Sequence, residues 1–462
     1  MHIERFFVPG LAHASYVVSS GREAVVIDPE RRVDGYLDYL AKHALTLRGI
    51  LLTHPHADFV AGHAELAARS GSPIFISAKA PAHFDHRGIR EGDKIAVDDI
   101  YLEVIETPGH SPDSVCFCLY EADRPTALFS GDTLFAGDVG RPDLRDDEMT
   151  AEQLAAMFHD SLFNKLLKLP PAIKVYPAHG AGSLCGRQIS SAPFTTIGQE
   201  AATNWALQFA DRKQFVSAMI TNLPERPTYF ARSVIINLQG APPFSDSVDQ
   251  LDLARFRSLQ QEGASLLDVR PPALFGEGHA AGSVNIGVAS PSFAVWCGFF
   301  INGDLPTLLI VDDEAEARRA KLELARIGFD QVAGFLAADD LEETLQITQL
   351  GAQELLAAAH NRAGATILDV RSALEWSQDP LERAMHIALP QLLRQIGKLS
   401  RQSPITIVCG SGYRSSIAAS LLEAEGFAHV SNVMGGMHAI RHAKRPRVPV
   451  MEFAESALTW EI

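Results

Sequence analysis

The second half of this chain repeats itself. Gly263-Ala-Ser-Leu-Leu-Asp-Val-Arg270 returns as Gly364-Ala-Thr-Ile-Leu-Asp-Val-Arg371, and Leu308-Leu-Ile-Val311 returns as Ile405-Thr-Ile-Val408. Gly328-Phe329 then matches Gly426-Phe427, and Val332-Ala-Gly334 matches Val433-Met-Gly435. A repeat in this order requires two units of one fold. Short apolar runs alternating with helical patterns make each unit α/β, at roughly one hundred residues, within the usual range for a domain. The expected domains are 1–245, 246–345 and 346–462.

The first domain also reads as mixed α/β. Strand-like runs occur at Tyr16–Val18, Ala24–Asp28, Gly49–Leu52, Pro73–Ile76 and Leu102–Ile105, and helical patterns at Val33–His43 and Gly62–Arg69. Phe194–Phe215 is expected to be a helix, and the Pro-containing stretch up to about Ser247 a connector. The N-terminus reads as a first strand, not a secretory leader. No run approaches ~20 apolar residues, so no membrane partner is expected and the location is expected to be cytoplasmic. A net charge of −16 disfavours nucleic acid. Five cysteines in such a chain do not suggest a disulfide framework.

Four motifs in the first domain place His or Asp at apparent strand ends: His54-Pro-His56-Ala-Asp58, Thr107-Pro-Gly-His110, Ser130-Gly-Asp132 and Tyr176-Pro-Ala-His179. Gly109 and Gly131 permit the sharp turns that aim the side chains inward. The series resembles the ligand series of the metallo-β-lactamase fold, over roughly residues 1–240. That resemblance implies an N-terminal αββα sandwich.

In the family's two-metal hydrolases the first motif ends in a histidine. Here Phe59 stands in its place. An aromatic ring supplies no ligand, so a second metal would be left weakly held by Asp58, His179 and a share of Asp132. The first site keeps His54, His110 and Asp132, a facial set suited to one Fe(II) with positions open for O2 and substrate. With TPGHSPDSVCF, FSGDTLFAGDVGRPDLR and YPAHGAGSLCGR, the domain resembles persulfide dioxygenases, which use one Fe(II) and O2 to release sulfite from a thiol persulfide. The resemblance implies auxiliary places for His56, Asp58 and His179. Arg141 and Asp143 either order the loop after Asp132 or form a plain salt bridge. Cys185 either brings a thiol toward the iron or packs. Cys116 and Cys118 share one strand face and Cys297 has no visible partner, so all three read as core.

Ile405–Val408 runs into Cys409-Gly410-Ser411-Gly412-Tyr413-Arg414-Ser415, and a helical pattern follows. Loop N–H groups and a helix N-terminus favour a thiolate and an anionic persulfide on Cys409. Arg414 adds a cation. The loop is one residue shorter than in cysteine-dependent phosphatases, and with Asp369-Val-Arg371 it resembles a rhodanese. The middle unit has Asp312 in the place of Cys409, followed by Asp313-Glu314, so it reads as an inactive rhodanese-like domain.

The combined resemblance is to persulfide dioxygenase–rhodanese fusions that act in sulfide detoxification. It implies oxidation of a glutathione, coenzyme A or bacillithiol persulfide to sulfite and thiol. It also implies sulfur transfer at Cys409 among persulfide, sulfite and thiosulfate, in a homo-oligomer (dimer or tetramer). Two other readings stay open: a glyoxalase II-like zinc thioester hydrolase fused to a rhodanese, and a non-enzymatic sulfur carrier or sensor.

Overall fold

The computed structural model describes residues 1–145, 149–221, 223, 225–361 and 366–444. Gly364 and Ala365, which open the second copy of the repeat, and residues 445–462 lie outside them. Two compact units make up the chain: residues 1–270 with 287–341, and residues 271–286 with those from 342 onward.

The first unit begins with two six-stranded sheets. In one, His2–Val8, His13–Ser20 and Glu23–Ile27 pair antiparallel, and Thr46–Leu51, Ile74–Ser77 and Arg87–Ile89 continue in parallel. The other runs in the order Thr195–Thr196, Lys174–Pro177, Arg124–Gly131, Val115–Glu121, Ile100–Glu106, Lys94–Val97. The side-chain period of two builds the layers. Val115, Phe117 and Leu119 face Tyr16, Val25 and Ile27 between the sheets. Cys116 and Cys118 face outward, onto Phe158, Leu162 and Phe215. On the outer face of the first sheet, Val26 and Ile50 pack with Tyr36, Leu40 and Leu66 of the helices Asp34–Lys42 and His63–Ser70. The expected αββα sandwich is present, and both cysteines are core.

Two expectations fail here. Phe194–Phe215 is not one helix. It breaks into Thr195–Thr196, a helix at Ile197–Thr203, a 3-10 turn at Ala206–Gln208 and a new helix from Arg212. Asn204 stops the first helix by donating to the Asp138 carbonyl, and Asp211 caps the next by accepting from Lys213 and Gln214 N–H. The stretch after it is not a plain connector, because Tyr229–Gln239 is helical and buries Tyr229, Phe230, Ser233, Val234 and Asn237.

The first unit also holds three parallel strands, Ser265–Asp268, Thr307–Val311 and Val332–Ala337. The helices Phe293–Phe300 and Glu314–Arg326 accompany them. Cys297 is buried in the first of these helices. Asp312 and Asp313 follow the central strand, and Asp313 caps the helix.

In the second unit, Thr348–Leu350, Val430–Val433, Ile405–Val408, Thr366–Asp369 and Met385–His386 form a parallel sheet in that order. Asp369 grips Arg371 at 2.7 Å, as Asp268 grips Arg270 at 2.6 Å in the first unit. The repeated Asp-Val-Arg thus has one structural job in both copies: it ends the strand with a buried ion pair. Among the described residues no helix is long and apolar enough to cross a membrane.

Candidate metal centre and cysteine loop

Each of the four motifs stands where a strand of the sandwich ends, so the sheets bring together residues far apart in sequence. His54 follows Thr46–Leu51, His110 follows Ile100–Glu106, Asp132 follows Arg124–Gly131 and His179 follows Lys174–Pro177. Gly131 has φ +52°, and a Cβ there would lie 2.6 Å from Thr53 Oγ1. Only glycine permits that approach.

His54, His110 and Asp132 bring ligand atoms within 4.8 Å of one another, and all three are buried. His54 Nε2 is 3.9 Å and His110 Nε2 3.5 Å from Asp132 Oδ2. Among the described residues, His54 Nε2 and Asp132 Oδ2 have no hydrogen-bond partner. Buried polar atoms without partners are costly, and a cation would satisfy both. His110 Nδ1 meets the Arg141 carbonyl at 2.9 Å, which fixes the tautomer with Nε2 free. Burial, reinforced by His56 for His54, pushes both imidazoles below their usual range, so they are neutral ligands. Burial opposes ionisation of Asp132, yet the imidazoles around it, His179 first, hold it well below the usual carboxylate range. The residues present fit a divalent metal.

His179 uses Nδ1 to meet Asp132 Oδ1 at 2.7 Å, and its Nε2 is 2.7 Å from Asp58 Oδ2. Asp132 therefore orients this imidazole through the nitrogen that faces away from Asp58. A second group of ligand atoms within 4.8 Å consists of Asp58, His179 and Cys185, all buried. Asp58 and His179 were expected there. Cys185 is an addition: its thiol groups with Asp58 and His179 and also interacts with Asp132 of the first set. The Arg141 backbone N–H donates to the Cys185 carbonyl at 2.9 Å, and Arg141 Nη1 reaches the Leu184 carbonyl. Arg141 also makes a bidentate pair with Asp143 at 2.7 and 2.8 Å, so it orders both loops.

Phe59 is fully buried, its ring centroid 3.9 Å from His13 and 4.4 Å from His56. His56 lies outside both ligand groups, with Nε2 3.3 Å from Asp28 Oδ1. Sequence reasoning missed Asp28 and His13. Asp28 has φ +50° and accepts from the backbone N–H and hydroxyl of Thr53 at 2.8 and 2.7 Å. His13 Nε2 meets the Asp28 carbonyl at 2.9 Å. The only sequence signal for Asp28 was an Asp closing an apolar strand.

The loop is also held from outside the sandwich. Asn237 donates to the carbonyls of His56 and Phe59 and accepts from Ala61 N–H. Tyr229 donates to the Asp58 carbonyl at 2.9 Å. Val60 N–H donates to the carbonyl of Arg326 at 2.7 Å, and Arg326 pairs with Glu30.

In the second unit Cys409 follows Ile405–Val408 and is fully buried. Its Sγ accepts from Gly412 N–H at 3.1 Å and from the Ser415 hydroxyl at 3.3 Å. Gly412, at φ +96°, opens the helix Tyr413–Ala424, earlier than the expected start at Ser416. Gly410 lies against Arg414 Nη2. Arg414 does not stand alone: Glu375 takes both of its terminal nitrogens, at 2.7 and 2.6 Å. The pair lowers the Glu375 carboxyl to about 2.

The sequence pattern of the metallo-beta-lactamase superfamily matches residues 8–179, and that of the rhodanese-like domain matches residues 352–443. A hydroxyacylglutathione hydrolase of Francisella tularensis subsp. novicida is 37% identical over 186 residues, 39% of this chain and 68% of that protein. The chain belongs to the metallo-beta-lactamase superfamily. Its superfamily domain is N-terminal and a rhodanese-like domain follows. A hydroxyacylglutathione hydrolase of Pseudoalteromonas translucida is 38% identical over 165 residues, 35% of this chain, which spans 57% of that relative's length. A metallo-beta-lactamase structure from Staphylococcus aureus subsp. aureus COL aligns with TM-score 0.66 and 29% identity, over 73% of this chain and 99% of that one. That alignment extends beyond the sandwich of this superfamily member, over 73% of the chain.

Proposed function

We propose that the chain is an iron-dependent persulfide dioxygenase joined to a sulfurtransferase, with domains at 1–245, 246–345 and 346–462. One observation carries the reading. Phe59 fills with carbon the place of a ligand, while His54 and Asp132 keep buried ligand atoms without partners among the described residues, within 4.8 Å of a ligand atom of His110. Those three would hold Fe(II), which when bound supplies the redox chemistry for O2. Arg141 holds His110 in its tautomer, and His179 holds Asp132 ionised. The balanced reaction is RSSH + O2 + H2O → RSH + sulfite + two protons.

The sulfur cradle in the second unit supports a sulfur substrate. The Cys409 thiolate takes the outer sulfur of a persulfide and releases the thiolate RS⁻. Sulfite then attacks that sulfur, giving thiosulfate and restoring the Cys409 thiolate. The substrate is a low-molecular-weight persulfide of the glutathione, coenzyme A or bacillithiol type, and the enzyme is a cytoplasmic homo-oligomer.

Reconstitution with Fe(II) under anaerobic conditions, followed by O2 uptake with a panel of thiol persulfides, tests the proposal. Sulfite release is expected, and Cys409→Ser should keep it while losing sulfur transfer. Iron-loaded protein that consumes no O2 with any of them would sink it. A second reading is thioester hydrolysis by two metals. The cluster of Asp58, His179 and Cys185 favours it, with a thiolate standing in for the missing histidine. Two zinc ions per chain, with hydrolysis of a glutathione thioester, would decide for that reading.

A further inference from the structure

Glu375 is placed to decide what the cysteine loop accepts. It is locked locally first. Ser372 and Glu375 form a capping box at the start of the helix Ala373–Gln378, with Ser372 N–H and hydroxyl both donating to Glu375 Oε2 at 3.0 and 2.9 Å. The same carboxylate then spans both terminal nitrogens of Arg414. The pair lies on Gly410, where a Cβ would meet Arg414 Nη2 at 3.2 Å and Glu375 Oε1 at 3.8 Å. Gly410 is the residue next to Cys409. The fixed cation of the loop is thus cancelled by a fixed anion at the same place. Attraction for an incoming anion falls to the loop N–H groups and the helix N-terminus, about half an elementary charge.

Sulfur donors differ in the charge they bring to this point. Thiosulfate is a dianion, and its transfer to the Cys409 thiolate releases sulfite, another dianion. The sulfur end of a thiol persulfide carries at most one charge, and its transfer releases RS⁻. We infer that Glu375 is a specificity-determining residue: by occupying Arg414 it withholds the cation from dianionic donors and favours thiol persulfides. The inference rests on the sulfurtransferase reading of Cys409. Glu375 acts through Arg414, so it is a positioning residue.

The test is steady-state sulfur transfer by the full chain and by Glu375→Gln, with thiosulfate and with cysteine persulfide as donors. Gln keeps an oxygen for the capping box and removes the negative charge that neutralises the guanidinium. The KM for thiosulfate should fall by about fivefold, and the KM for cysteine persulfide should change by less than about twofold. The variant's thiosulfate KM should rise with salt more steeply than the parent's, because a freed cation is screened. Arg414→Gln in the variant background should erase the gain. An unchanged or raised thiosulfate KM, or equal losses of kcat with both donors, would overturn the inference and leave Glu375 as a brace for Arg414. Absence of transfer from either donor in the parent would overturn the sulfurtransferase reading itself.

Discussion

Asn237 donates its side-chain N–H to the carbonyl of Phe59 at 2.7 Å, from a helix that follows Phe59 by well over a hundred residues. The same amide serves His56 and Ala61, so one buried side chain satisfies three backbone groups of the ligand loop. Asn237→Leu strands all three. Leaving a buried group unsatisfied costs about 1–3 kcal/mol. A loss of about 3 kcal/mol or more in urea unfolding is expected, with reduced iron content, measured on the same samples.

Phe59→Ala separates packing from ligation. Removing a buried Phe side chain costs about 3–5 kcal/mol. The ring sits against His13 and His56 and offers no ligand atom. The variant should be destabilised by that amount in denaturant titration, while the folded fraction still takes up iron near the parent's level.

His110→Ala and Cys185→Ser should behave oppositely in metal analysis. His110 belongs to the set with Asp132 and His54, whereas Cys185 stands with Asp58 and His179. Iron content should collapse in the first and stay near one per chain in the second. Loss of iron from Cys185→Ser would place the thiol in the iron's own ligand set.

Glu375 predicts an acid dependence. Its carboxyl titrates near 2 in the folded chain, against an ordinary 4.5, because Arg414 holds it ionised. A depressed carboxyl stabilises the fold fully above about 4.5, and the contribution fades as pH falls toward 2. The side chain is 38% exposed, so screening keeps the contribution to about 1 kcal/mol or less. Urea unfolding at stepped pH should show a shallower decline between those two values in Glu375→Gln than in the parent.

What could be read in advance follows from where the information lies. His54, His110, Asp132 and His179 each sit in a short local motif at a strand end, and the fold only had to converge them. Cys409 and its loop are contiguous, so the cradle was legible down to its two glycines. Asn237, Tyr229 and Arg326 grip the metal loop through backbone carbonyls and N–H groups, which carry no residue signature. The break at Asn204 escaped for a similar reason: its partner, the Asp138 carbonyl, lies in a distant loop. Glu375 went unread, because its partner Arg414 lies 39 residues away and no local motif links the two.

The bond from Val60 to the carbonyl of Arg326 sets an order of events during synthesis. The ribosome makes every candidate metal-ligand side chain early, yet the loop that carries the first of them waits for a helix end made much later. Iron delivered to a nascent chain would meet an unfinished loop. Loading should therefore belong to the released protein, and truncation at residue 245 should yield a sandwich that takes up metal poorly even with all its ligands present.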